Sequence, residues 1–213
     1  MYISRVEIDR ANRQKIRELN HLGAYHHWVE QSFPNEWEGH IRTRKLWRID
    51  RLGNREYLLL VSEAAPDLSK LETYGVVGSA QTKSYDAFLQ SLQERGCYRF
   101  KLTANPVKSE ADRSRKRGRV LPLCRQEEQL QFLAERADKN GFVLQEETVT
   151  VTESTREILK KTGKADVRLL KVTYEGILAI TDKEKFLSTL TEGIGRKKAY
   201  GFGLMTVIPL LGA

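Results

Sequence analysis

The segment Cys97-Tyr-Arg-Phe-Lys-Leu-Thr103 is the most informative about the fold, because it is a predicted strand at which one order of elements begins for a second time. A basic connection follows it, and then a predicted helix with apolar Leu130 and Leu133 that is closed by Gly141. The remaining elements are predicted as strands over 142–152 and 167–181, a helix over 182–191 and a last strand over 204–209. The second part of the chain therefore has the order βαββαβ.

The first 90 residues have the same order. Residues 2–9 alternate between polar and apolar side chains, a period of two that is typical of a strand. Apolar residues then recur at three- and four-residue steps until Pro34, which predicts one helix containing Ile16, Leu19, Leu22, Val29 and Phe33. The other predicted elements are strands over 44–50 and 56–62 around a turn at 51–54, a short helix that ends at Leu71 and a strand over 76–83.

Two βαββαβ units in tandem predict an α+β protein of two ferredoxin-like (RRM-like) domains, one over residues 1–90 and the other over 91–213. A chain of 213 residues fits one large or two small domains. Such a pair often presents a sheet or an interdomain cleft to RNA.

The charge of the chain indicates a polyanionic partner. The formal net charge is +8 and the isoelectric point is near 9.5, and cations that neutralise phosphates release condensed counterions. Charge alone leaves RNA, DNA and anionic lipid open. The basic residues of the second domain form two runs, which are Lys108, Arg113, Arg115, Lys116, Arg117 and Arg119 in the first and Arg196, Lys197 and Lys198 in the second.

Several classes of protein are excluded by what the sequence lacks. Cys97 and Cys124 are too few and too far apart for a disulfide framework or a zinc ribbon, so both thiols are expected to be reduced. The N-terminus has no signal-peptide core and no apolar stretch is long enough to span a membrane, so we expect a cytoplasmic protein without a membrane partner. The motifs of metalloproteases, serine hydrolases and two-metal nucleases are missing.

The most specific motif is Gly193-Ile-Gly195-Arg-Lys-Lys-Ala-Tyr-Gly201-Phe-Gly203, which follows a predicted helix and precedes the last strand. Glycines leave backbone N–H groups unshielded, and the three cations between them attract phosphate. The segment is neither a P-loop nor a dinucleotide fingerprint. A glycine-rich turn with a solvated cationic tip is the alternative interpretation.

This segment resembles the glycine-rich signature of the repeat-associated RNA-binding proteins of CRISPR systems. The opening Met1-Tyr-Ile-Ser-Arg5 and the stretch Tyr98-Arg-Phe-Lys-Leu-Thr-Ala-Asn-Pro-Val-Lys108 are similar to elements of the CasE family of CRISPR-associated endoribonucleases. The resemblance runs from the first predicted strand to the last. It implies two ferredoxin-like domains, cleavage of CRISPR repeat stem-loops, and retention of the mature crRNA with the other subunits of a type I-E surveillance complex.

The resemblance also implies a catalytic histidine on the first helix. Among His21, His26 and His27 we select His26, because its distance to Phe33 is similar to the family's spacing. Imidazole titrates near neutrality and can move the proton of a 2′-hydroxyl or of a departing 5′-oxygen, so neither a metal nor another cofactor is required and the expected products are a 2′,3′-cyclic phosphate and a 5′-hydroxyl. A satisfied core histidine is the structural alternative.

Further roles stay open at the level of sequence. Tyr25 is a candidate to orient the phosphate or act as an acid, although the family's tyrosine lies further upstream, where Gly23 stands here. The basic run before residue 120 contacts the repeat stem or is a solvated linker. The candidates for a stacking surface, on or beside a predicted strand, are Arg42, Arg44, Arg48 and Arg51 with Trp37 and Trp47, but tryptophans this close to a strand are usually part of the core. A non-catalytic RNA-binding subunit and a DNA-binding regulator are the alternative functions.

Overall fold

The computed structural model describes residues 1–110, 119–161 and 163–210, and its first sheet has the strand order of a ferredoxin-like domain. The strands of this sheet are β1 (Tyr2–Glu7), β2 (Lys45–Leu52), β3 (Arg55–Ser62) and β4 (Gln81–Ser84). They pair antiparallel in the order β2-β3-β1-β4. Gly53, in the left-handed region at φ 58°, makes the turn between β2 and β3.

Helices cover one face of this sheet. They are α1 (Arg13–Glu18), α2 (Leu22–Gln31), α3 (Pro34–Glu38) and α4 (Leu68–Leu71), and α5 (Asp86–Ser91) leads to the second domain. The predicted domain boundary after residue 90 falls inside α5 and stays a prediction.

The single helix predicted before Pro34 is wrong, because the chain breaks between α1 and α2. Leu19 leaves the helical region at ψ 44°, and His21 is extended at φ −160° and ψ 160°. Pro34 begins α3, a position where its fixed φ and missing N–H are tolerated. The break rotates α2 independently of α1, which decides where His26 points.

The second sheet repeats the ferredoxin-like order around a larger set of strands. The strands that follow α5 in the chain are β5 (Cys97–Ala104), β6 (Val107–Glu110), β7 (Arg119–Pro122), β8 (Phe142–Leu144), β9 (Thr150–Lys161), β10 (Lys164–Ile180) and β11 (Met205–Pro209), and the helices are α6 (Gln126–Ala137) and α7 (Lys183–Glu192). The sheet order is β11-β5-β10-β8, with β9 also paired to β10 and with β6 and β7 forming a separate hairpin. Tandem ferredoxin-like domains are therefore confirmed.

The strand predicted over 142–152 is also wrong as one element. A 3₁₀ turn, Glu146–Thr148, separates β8 from β9. The long hairpin of β9 and β10 was not predicted, because most side chains of β9 are polar and exposed and give no alternating apolar signal.

Hydrophobic packing joins the two domains. The core beneath α2, to which Trp28 and Trp47 belong, also receives side chains from the second domain. These are Leu159 from β9, Leu169 from β10 and Phe202. Contacts also run the other way, since Leu46 and Val61 of the first sheet belong to the core of the second domain. The hairpin is thus anchored against the first domain. Within the described ranges, no helix combines the length and apolar character needed to cross a membrane.

Candidate active site

Helix α2 lies where the two domains meet, and its start is fixed by a histidine. The Nδ1 atom of His21 accepts a hydrogen bond from the backbone N–H of Ala24 at 3.2 Å, as an N-cap residue does. The buried face of the helix consists of Leu22, Tyr25, Trp28 and Val29. His26 lies at the edge of that face, and His27 is exposed.

His26 is accessible but not fully solvated, since its side chain is 31% exposed. Its ring meets the ring of Tyr200 edge-on, with centroids 5.2 Å apart. Burial lowers the pKa of His26, with Glu30 acting in the opposite direction. An imidazole with a lowered pKa is neutral at physiological pH and can accept a proton.

Tyr25, the second predicted catalytic residue, is only 6% exposed. Its ring stacks on Trp47 with centroids 5.8 Å apart. Burial raises the pKa of the Tyr25 hydroxyl, while the adjacent guanidinium of Arg10 lowers it. This environment favours packing and a hydrogen bond to Arg10 over proton transfer, and the catalytic role of Tyr25 stays a prediction.

The glycine-rich segment is packed against the first domain. Gly201 has φ 83°, and a Cβ atom there would lie 2.6 Å from the Trp47 ring. The Trp47 indole N–H donates to the carbonyl of Ala199 at 3.0 Å. A Cβ atom on Gly193 would lie 2.8 Å from the Leu46 side chain. The glycines therefore let the segment lie on the first domain and bring Tyr200 to His26.

Two of the predicted phosphate-binding N–H groups are used within the protein. The Gly193 N–H donates to Thr189 at 2.9 Å, and the Gly203 N–H donates to Thr103 at 2.6 Å. Gly195, in contrast, is exposed. The glycines at positions 193 and 203 thus serve folding, and direct phosphate contact by this segment stays a prediction.

The three cations of the glycine-rich segment lie in different environments. Lys198 lies in the 3₁₀ turn Lys198–Tyr200, and burial lowers its pKa, with Arg44 adding to this effect. Lys197 occupies the left-handed region at φ 65°. Arg196 is exposed and donates to the Ser109 hydroxyl at 3.1 Å, next to the β6–β7 hairpin.

The β9–β10 hairpin adds a cation that the sequence pattern did not predict at the site. Lys160 near its tip faces the start of α2, because a Cβ atom on Gly23 would lie 3.4 Å from its carbonyl oxygen. Burial lowers the pKa of His21, and the charge of Lys160 contributes to the lowering. Lys160 belongs to a run of lysines in the sequence, but its position beside α2 depends on the unpredicted hairpin.

The first basic run belongs to the other hairpin. Lys108 lies on β6 and Arg119 on β7, and both are exposed. Lys108 pairs with Glu110 at 3.5 Å. The other predicted members, Arg113, Arg115, Lys116 and Arg117, lie outside the described residues.

A polar cavity of about 630 Å³ lies between the two domains. Tyr25, His21 and Tyr200 line it together with the ion pair of Arg10 and Glu56. Lys171 closes another side and pairs with Glu153 at 3.1 Å. Opposite charges balance each other along this wall.

Among residues 1–110, 119–161 and 163–210, no group of three or more His, Cys, Asp or Glu side chains is arranged to hold a metal ion. The chemistry available from the described residues is that of an imidazole flanked by aromatic rings and cations.

Comparisons with known proteins agree with this geometry. Residues 1–209 match a family model described as CRISPR associated protein. The chain is 30% identical to the CRISPR-associated endoribonuclease Cse3 of Thermus thermophilus, over 98% of this chain and all of that protein. It is 28% identical to the CRISPR system Cascade subunit CasE of Escherichia coli K12, over 99% of this chain and all of that protein.

The fold is also similar to that of a solved structure. Thermus thermophilus Cse3 bound to an RNA that represents a pre-cleavage complex superposes with a TM-score of 0.80. The sequences of the two are 27% identical, and the match covers 98% of each chain.

Proposed function

Since the chain belongs to the CRISPR-associated protein family that it matches over residues 1–209, we propose that it is an endoribonuclease that cleaves CRISPR repeat stem-loops in precursor transcripts. The observation that carries the proposal is the partly exposed imidazole of His26 on α2, in contact with Tyr200 of the glycine-rich segment. The relatives support the reaction, because one is an endoribonuclease and its structure is that of a pre-cleavage RNA complex.

His26 moves a proton in the proposed reaction. The 2′-oxygen of the nucleotide before the cut attacks the phosphorus, and the bond from phosphorus to the 5′-oxygen breaks. A neutral imidazole accepts the proton of the 2′-hydroxyl, and a protonated one supplies a proton to the leaving 5′-oxygen. The products are a 2′,3′-cyclic phosphate and a 5′-hydroxyl, and no step uses a metal ion.

Cations near His26 stabilise the charge that develops on the phosphorane. Lys197 and Lys198 lie on the segment that carries Tyr200, and Lys160 of β9 lies beside the start of α2. We assign this role to the group as a whole. Each of these cations also fits simple contact with the RNA backbone.

The stem of the repeat is held mainly through its phosphates. A-form RNA has a deep and narrow major groove that side chains rarely read, so exposed cations follow stem shape. Lys108, Arg119 and Arg196 are the exposed candidates around the β6–β7 hairpin. The proposal includes retention of the mature crRNA within a surveillance complex, and the similarity to a Cascade subunit supports assembly with other subunits.

One cleavage experiment tests the reaction. The protein is incubated in excess EDTA with a cognate repeat stem-loop RNA, and with the same RNA carrying a 2′-deoxy nucleotide at the cut. We expect cleavage of the first RNA alone, and its loss of about a hundredfold or more in His26→Ala, because proton-transfer groups contribute about that much. His40→Asn is the matched control, since His40 is exposed and its positive φ of 50° suits asparagine.

Tight binding of both RNAs without cleavage would refute the nuclease and favour a non-catalytic RNA-binding subunit. Displacement of the RNA by duplex DNA of the same sequence would favour a DNA-binding regulator. Cleavage that stops in EDTA and returns with a divalent metal would overturn the metal-independent mechanism.

A further inference from the structure

A buried lysine lies behind His26. The Lys45 side chain on β2 is only 3% exposed, and its ammonium group lies 4.8 Å from the centre of the Phe33 ring. Removing an ammonium group from water costs several kcal/mol, on the order of the penalties seen for buried ions, unless carboxylates compensate. A buried lysine therefore marks a place where charges are held in a fixed arrangement.

Two carboxylates compensate Lys45, and they do so unequally. Glu36 is the anchor: it accepts from Lys45 at 2.6 Å and from the Thr43 hydroxyl at 2.5 Å. Although burial raises it, the pKa of Glu36 ends below its usual range, because Lys45 and Thr43 donate to its carboxylate. Glu36 is thus ionised and keeps Lys45 in place.

Glu30 is the second carboxylate, and it joins Lys45 to His26. One oxygen lies 3.8 Å from the Lys45 ammonium, and the other lies 3.9 Å from His26 Nδ1. A separation of 3.9 Å is too long for a hydrogen bond, so the interaction in the RNA-free protein is electrostatic. Catalytic hydrogen bonds often tighten only when substrate binds.

The groups that face His26 act on its titration in opposite directions. Burial lowers the pKa of His26, and the charges of Arg42, Lys45 and His27 lower it as well. Tyr200 meets the ring from the other domain without a formal charge. Glu30 is the carboxylate that raises the pKa, so it offsets the surrounding cations.

We propose that Glu30 is a positioning residue for His26: its carboxylate, held by the buried Lys45, directs Nδ1 toward the protein and leaves Nε2 to face the RNA. The inference rests on the proposed function, since it assigns a role within the same site. An exposed i,i+4 pair on a helix would contribute little. The burial of Lys45 and its anchoring by Glu36 distinguish this pair, because they fix one end of the chain of charges.

The test has a readout that does not require cleavage. Histidine labelled with ¹³C is introduced into the wild type, Glu30→Gln and Glu30→Asp, and the imidazole of His26 is titrated by NMR, with its signal assigned from His26→Ala. We expect the midpoint of His26 to move to lower pH in Glu30→Gln, because the carboxylate that stabilises the imidazolium is gone. Glu30→Asp keeps the charge and should restore part of the shift.

Single-turnover cleavage is measured over the same pH range. The limb of the profile that reports His26 should move to lower pH in Glu30→Gln, with a rate about tenfold lower at the optimum because the imidazole is less well oriented. Glu184→Gln is the matched control. It removes an exposed carboxylate in the first turn of α7, whereas the glycine-rich segment follows the last turn of that helix.

An unchanged His26 midpoint in Glu30→Gln would overturn the inference, even if the rate fell, because a purely structural role lowers the rate without moving the titration. Absence of cleavage by the wild type would instead refute the proposed function. In that case the NMR titration still decides whether Glu30 governs His26.

Discussion

The surroundings of the Tyr25 hydroxyl favour a structural role over a catalytic one. We expect Tyr25→Phe to keep most of the cleavage rate, well short of the about hundredfold loss that follows removal of a proton-transfer group. The reason is that burial raises the pKa of this hydroxyl and holds it beside Arg10. The free energy of unfolding should fall by about 0.5–1.5 kcal/mol, the usual contribution of one hydrogen bond. Single-turnover cleavage and urea unfolding measure the two quantities.

Tyr174→Phe is the control for loss of a buried hydroxyl. The Tyr174 hydroxyl donates to the carbonyl of Gln129 at 3.1 Å inside the second domain. The Tyr174→Phe variant should lower the free energy of unfolding by a similar amount and leave cleavage unchanged. If Tyr25→Phe alone abolished cleavage while retaining stability, the hydroxyl would have a catalytic role after all.

At the scale of elements, the sequence predicts those whose apolar pattern is complete within themselves. The strand β5 and the helix α7 lie within a residue of their predicted bounds. The break before α2 and the β9–β10 hairpin were missed for physical reasons. The break depends on backbone angles at Leu19 and His21, and β9 exposes most of its side chains.

The glycine-rich segment gives a prediction of its own. Gly201→Ala should lower the free energy of unfolding by about 2 kcal/mol or more, because a left-handed backbone disfavours alanine and the new methyl group would overlap Trp47. Cleavage should fall as well, because Tyr200 is displaced from His26. Chemical denaturation and single-turnover kinetics provide the measurements.

Gly53→Ala separates the two causes. Gly53 also has a positive φ, of 58°, but a Cβ atom there meets nothing within 4 Å. It should show the backbone penalty alone and leave cleavage intact. Equal losses of stability in both variants would contradict the packing argument.

At the scale of the whole molecule, the sequence predicts two domains but not the contacts that join them. Arg48, one of the candidates for a stacking surface, is 2% exposed and lies between the domains. Trp47 packs under Gly201, as is usual for a tryptophan on a strand. Both side chains come from one strand, and only the position of the second domain decides which of its faces is covered. Periodicity along a strand carries no information about that partner.

Arg48 therefore tests how firmly the domains are joined. Its guanidinium donates to both oxygens of Asp50 at 2.8 Å, and across the interface to the carbonyls of Lys101 at 2.9 Å and Leu204 at 3.1 Å. We expect Arg48→Met to lower the free energy of unfolding by about 3 kcal/mol, because it removes the hydrogen bonds of a buried guanidinium. The Asp50 carboxylate, which is 23% exposed, then keeps its ion pair with Lys101 at 3.3 Å.

The double variant Arg48→Met with Asp50→Leu decides whether that loss comes in part from the charge of Asp50. The double variant should regain part of the free energy of unfolding, because an apolar pair replaces the ion pair and leaves neither charge unpaired. Urea unfolding of both single variants and of the double variant gives the double-mutant cycle. Cleavage should nevertheless stay low in both, because the site needs α2 of one domain against Tyr200 of the other. A double variant as unstable as Arg48→Met would show instead that the hydrogen bonds across the interface, and not the buried charge, hold the two domains together.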